Sequence, residues 1–243
     1  MDAKNIFTTK RIIFLLIFFV LVLIGRKINF SPVLGAENQF FTLYQFFSPT
    51  AGAFLGPIFG GIAVLFAQLA DFLIMGKEWT WVSILRFLPM LFAAYYFGMS
   101  VKKRNQNWIK VTVPLICIAL FIYHPIGRQA WVYSLYWLIP VFAVILPKKV
   151  PGKLLFRSLG ATFAAHAVGT AIWIWTIPST VGMWLTLIPI TGYERLLFGL
   201  GIAGSYVIFN TALDYAVEKW KISFPAQELF LSKKYSLLRL VKS

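Results

Sequence analysis

The chain has 243 residues, of which 59% are hydrophobic and only 13% charged. Soluble domains carry about 25% charged residues, and a water-soluble fold of this length could not hide so much apolar surface, so lipid has to be part of the solvent. The net charge of +15 would suggest nucleic acid in a soluble protein; here the placement of the charges matters more, and no nucleic-acid partner is expected.

In chain order, the first apolar stretch, 12–30, follows Lys10 and Arg11 as the core of a signal peptide would. Arg26, Lys27 and Ile28 stand where a small-x-small cleavage site would be needed, so it reads as a retained helix. Next come 40–56 and 57–76, with Ser48, Pro49, Thr50 and Gly52 inside the first and Gly56-Pro57 between the two. This pair reads as a hairpin whose first half is short or broken. The stretches 80–100, 108–126, 131–147, 155–177 and 193–217 follow, and Cys117, the single cysteine, lies in an apolar run. One cysteine excludes an intrachain disulfide and a Cys-based zinc cluster. Each stretch approaches the roughly 17–25 residues that a helix needs to cross a bilayer. Helices are favoured because every N–H in lipid needs a partner within its own segment, and the alternation of a transmembrane barrel is missing. The expected fold is all-α: one polytopic membrane domain over 1–243 with about eight segments (six to eight), one of them broken near Gly56-Pro57.

Lys and Arg placement sets the orientation. With the N-terminus inside and eight crossings, 17 of the 23 basic residues fall on the cytoplasmic side, in clusters such as Lys102-Lys103-Arg104 and Lys148-Lys149. Only Arg26, Lys27, Lys77 and Arg128 fall outside. Residues 1–11 and a basic amphipathic tail, 221–243, are then both cytoplasmic, in the plasma membrane. Leu229, Phe230, Leu237, Leu238 and Leu240 alternate with Lys233, Lys234, Arg239 and Lys242, so the tail reads as a helix on the anionic inner leaflet, or as a docking site.

Ionisable groups in lipid are functional candidates by default. Gln68 and Asp71 share a helix face, and Arg86, early in the next helix, is placed to pair with Asp71. Thr162, His166 and Thr170 recur every four residues, with Trp173 a turn beyond, and Ala161, Ala165 and Gly169 run beside them. A polar, aromatic stripe next to a small-residue seam suits a ligand cavity between helices. Glu194 and Arg195 are adjacent near the start of the last helix, where Arg195 reads as a snorkelling side chain. Two histidines far apart make metal ligation a poor fit, and no HExxH, GxSxG or P-loop is present. No metal, cofactor or catalytic residue is expected.

Three features between Asn29 and Gly98 carry a resemblance. A polar loop leads into a short helix ending in Phe54-Leu55-Gly56-Pro57-Ile58-Phe59-Gly60-Gly61; a helix carries Gln68-Leu69-Ala70-Asp71-Phe72-Leu73; and a helix with an internal proline, Arg86-Phe87-Leu88-Pro89-Met90-Leu91, exits through Tyr96-Phe97-Gly98 into Lys102-Lys103-Arg104. This region resembles the substrate-binding S components of energy-coupling factor (ECF) vitamin transporters, with 108–147 reading as an inserted pair. The resemblance implies a site for a small organic solute near the outer face, lidded by the loop after the first helix. It implies Asn38, Gln39, Thr42, Tyr44, Gln45, Gln68, Asp71, His166 and Trp173 as site residues, and an ECF-type coupling protein with an ATPase pair as partners. The expected function is solute binding and uptake. The alternatives are a membrane scaffold or anchor and, behind it, an intramembrane enzyme built around His166, Glu194 and Arg195.

Overall fold

The computed structural model describes residues 9–32, 40–101, 108–147, 150–220 and 229–240. They are mostly helical. Helix α1 (Thr9–Lys27) leads into a two-stranded antiparallel hairpin, β1 (Asn29–Pro32) and β2 (Phe40–Thr42). The hairpin is an addition to the expected all-α architecture. The broken segment follows as α2 (Tyr44–Phe47) and α3 (Thr50–Leu55), then α4 (Pro57–Ile74), α5 (Trp81–Leu85) and α6 (Leu88–Val101). Helix α7 (Trp108–Tyr123), the short α8 (Pro125–Gln129), a 3-10 turn over Trp131–Trp137 and α9 (Leu138–Ile145) form the next pair. Two long helices, α10 (Lys153–Thr176) and α11 (Val181–Trp220), and the small α12 (Leu237–Leu240) complete the chain.

Among the described residues, three stretches are long and apolar enough to cross a membrane: Pro57–Ile74, Trp81–Ser100 and Val181–Lys219. Trp108–Tyr123 and Trp131–Ile145 are shorter apolar helices. Helix α11, at 40 residues, spans about 60 Å by helical rise, roughly twice a hydrocarbon core. It begins twelve residues before the apolar stretch at 193, because Pro189 sits inside the helix and does not end it. Pro189 frees the Leu185 carbonyl, four residues back, and one turn on the Tyr136 hydroxyl donates to the Ile188 carbonyl at 2.8 Å.

The break at Gly56 is a backbone necessity. Its φ of 91° lies where a side chain would be strained, and Pro57 then opens α4 at its first position, where the missing N–H costs nothing. Gly52 lets the hairpin close: a Cβ there would collide with the Ala94 carbonyl of α6. α3 is buried throughout. The α10 seam seats α6 in the same way, with the Tyr96 ring over Gly160 and Pro89 over Gly169.

Trp79, Trp81, Tyr123, Trp131 and Trp175 are all exposed, at the end of the bundle where α1, α4, α7 and α10 finish and α11 begins. We call this the upper end. Aromatic rings with one apolar and one wet side collect at membrane–water interfaces.

At the lower end the tail departs from the expected surface helix. Residues 229–236 run back along the protein instead of forming a continuous amphipathic helix, with Leu229 and Ser236 buried. Their backbone groups are taken by the fold: Phe230 N–H donates to the Phe54 carbonyl at 3.0 Å, and Asn210 both donates to the Ser232 carbonyl and accepts from its N–H, each at 2.8 Å. The irregular stretch 229–232, its backbone groups paired in this way, leads into a 3-10 turn at Lys233–Tyr235 and has no need of a continuous helix. The rest of the expected tail and N-terminal segments, 221–228, 241–243 and 1–8, lie outside the described residues.

Candidate functional site

A cavity of about 340 Å³ opens at the upper end. Its size falls within the usual range of ligand sites. α10 supplies His166, Thr170 and Trp173; α11 supplies Trp184, Thr191 and Arg195; the hairpin supplies Phe40 and Phe41; and Arg26, Tyr44, Gln45, Gln68 and Arg86 complete the wall with Tyr133. The broken segment contributes Tyr44 and Gln45 of α2 to the wall.

The centre of the wall is a hydrogen-bond chain whose direction is fixed as far as Tyr133. Indole N–H is a donor only, and Trp137 Nε1 donates to His166 Nδ1 at 3.0 Å. That nitrogen therefore carries a lone pair, and the ring proton is on Nε2. Nε2 in turn donates to the Tyr133 hydroxyl at 3.0 Å. The Tyr133 hydroxyl lies 2.9 Å from that of Thr191, and one of the two donates to the other. Both His166 nitrogens are thus engaged within the protein.

The carboxylate is held differently from the sequence expectation. Asp71 was expected to pair with Arg86. Its Oδ2 accepts instead from Arg26 Nε of α1 at 2.7 Å, with Lys77 Nζ at 4.0 Å. The end of α1 packs beside α4, so a residue 45 positions away in sequence is nearer than the following helix. Asp71 itself is not part of the wall. It acts through Arg26, which lies 5.3 Å from the Tyr44 ring centre.

Arg195 also departs from its expected role. It is 5% exposed, so it does not snorkel. Its guanidinium carbon sits 4.3 Å from the Phe41 ring centre and 4.6 Å from that of Phe198, a cation–π sandwich. Its Nη2 meets Glu194 at 3.5 Å, and its buried Nε has no hydrogen-bond partner among the described residues.

Of the expected site residues, Tyr44, Gln45, Gln68, Arg86, His166, Thr170 and Trp173 are gathered on the wall. Thr42 is behind it and fixes Gln45, whose Oε1 accepts from the Thr42 N–H at 2.8 Å and hydroxyl at 3.0 Å. Thr162 is buried one turn below and does not reach the cavity, because the cavity closes before the stripe ends. Asn38 and Gln39 lie outside the described residues. Sequence reasoning missed Tyr133, Trp184, Thr191 and Arg26. The spacing of four between Thr191 and Arg195 was the available signal, the same spacing that marked His166 and Thr170. Among the described residues no cluster of three His, Cys, Asp or Glu side chains could hold a metal. Compared with known proteins, the chain matches no family model, no curated protein and no solved structure.

Proposed function

We propose that the protein is a polytopic membrane protein that binds a small organic solute in the upper cavity for uptake, in the manner of an ECF-type S component. The observation that carries this reading is the cavity itself: mostly apolar walls with a few convergent polar groups, the composition of a small-molecule site. The aromatic ring of exposed side chains and the 17-to-4 bias of basic residues support an upper end that faces outward, eight crossings, and cytoplasmic termini. His166, with both nitrogens committed to protein partners, suits the wall of a binding site better than proton transfer or ligation. Energy coupling by a partner ATPase pair belongs to the same reading.

Protein purified in mild detergent is expected to retain a small organic molecule. Replacing Trp173, His166 or Asp71 by alanine is expected to lower that retention, through lost apolar wall, a broken hydrogen-bond chain and a released Arg26. Unchanged retention in all three variants would contradict the site. Co-purification from native membranes tests the coupling: an ATPase pair supports uptake, and a stable complex lacking one supports a scaffold.

A further inference from the structure

Thr191 and Arg195 are one helical turn apart on α11 and both line the cavity, so their side chains share a face. We infer that this pair is a subsite for an anionic group of the carboxylate class, and that the solute is an aromatic or otherwise planar acid. The inference rests on the solute-binding reading and adds the chemical class.

Three observations carry it. The first is the weakly paired cation. Arg195 is buried to 95% and lines the cavity, and its ion pair among the described residues, with Glu194 at 3.5 Å, is long for a charge-assisted hydrogen bond, which normally lies at about 2.7–2.9 Å. A buried cation held this loosely is costly, and an anionic ligand group beside it in the cavity would offset that cost.

The second is the direction of the hydrogen-bond chain. It starts at Trp137, a donor only, so His166 donates to the Tyr133 oxygen, and the Tyr133 and Thr191 hydroxyls then share one hydrogen bond at 2.9 Å in which either can donate. Thr112, Thr176, Thr186 and Thr211 each donate to the carbonyl four residues back in their own helix. Thr191 makes no such bond among the described residues, so one hydroxyl hydrogen of the Tyr133–Thr191 pair is left for the cavity, which both residues line. That hydroxyl and Arg195 together offer donors to one place, the requirement of a carboxylate, which only accepts.

The third is charge. Setting Arg86 aside, Arg26, Lys77 and Arg195 line the cavity with Glu194, and Asp71 stands outside the wall, paired to Arg26, so positive charge is in excess among the described residues. The apolar remainder of the wall, Trp173, Trp184 and Phe40, suits a flat ring.

The test is a thermal melt of the purified, detergent-solubilised protein with an aqueous metabolite extract of the cells that produce it. Three portions are compared: the whole extract, the extract passed over an anion-exchange resin, and the extract passed over a cation-exchange resin. The expected result is an upward shift with the whole and cation-depleted portions and none with the anion-depleted one. A shift that survives removal of anions overturns the carboxylate subsite and leaves solute binding standing. No shift with any portion overturns both. Thr191→Val, close to isosteric, is expected to need about tenfold more extract or beyond for the same shift, as loss of a hydrogen bond to a charged group implies. Arg195→Lys keeps the charge but loses the planar guanidinium and is expected to weaken binding similarly. Wild-type response in a folded Thr191→Val protein would contradict the assigned donor.

Discussion

His166 shows how one residue's chemistry is decided by its neighbours. In isolation an intramembrane histidine suggests proton transfer or a metal. With Trp137 donating to Nδ1 and Tyr133 on Nε2, it becomes the middle of a fixed chain that orients a tyrosine and a threonine. Replacing Trp137 with phenylalanine removes the donor that sets this direction and leaves His166 Nδ1 buried without a partner. The expected cost is about 1–3 kcal/mol, read as a lower melting temperature in detergent. Arg195 makes the complementary point about what a sequence can reveal. Its neighbours in sequence suggested an interface, and the rings that enclose it, Phe41 and Phe198, come from the hairpin and from its own next turn. Periodicity exposes a stripe on one helix, as for His166, Thr170 and Trp173, but not which distant ring will cover a charge.

Among the elements, the α3–α4 hairpin was the most legible, because Gly56-Pro57 states a positive-φ turn followed by a helix start in two residues. Its tightness yields a paired prediction. Gly52→Ala places a methyl against the Ala94 carbonyl, which belongs to backbone and has little room to give. The expected destabilisation is about 1–3 kcal/mol, as for other overpacked sites. Gly61→Ala, with no atom within 4 Å of the added methyl, is expected to melt like the wild type. Less legible were the start of α11 and the tail. Pro189 and Gly192 read locally as a break, yet Tyr136 stabilises the helix across it. The tail's alternating leucines and lysines suggested an amphipathic helix, while the extended path depends on a distant side chain, Asn210, that takes both backbone groups of Ser232. Asn210→Leu keeps the volume and removes both bonds. Faster amide exchange at Ser232 and Phe230 is the expected outcome, and unchanged protection there would mean that the strand is held by something else.

For the whole molecule, composition pointed to a membrane, and the described residues contain three helices long and apolar enough to cross one; charge placement carries the proposed orientation. Both rest on long-range averages, which a misread local contact leaves unchanged. The topology has its own test. In a Cys117→Ala background, cysteines are introduced singly at Trp81, which is 82% exposed at the upper end, and at Pro151, exposed beside the start of α10. A membrane-impermeant thiol reagent applied to intact cells is expected to label the first and not the second.

The cavity ties these scales together: two long helices and the start of the broken segment line it, and a hydrogen-bond chain from Trp137 to Thr191 gives it polarity. Its occupancy is measured most directly by mass spectrometry of the small molecules released from purified protein, comparing the wild type with a Thr170→Trp variant that fills the cavity from α10. Solute binding predicts a compound that is enriched with the wild type and missing from the folded variant. The same extract from both proteins, with no compound set apart, would contradict it.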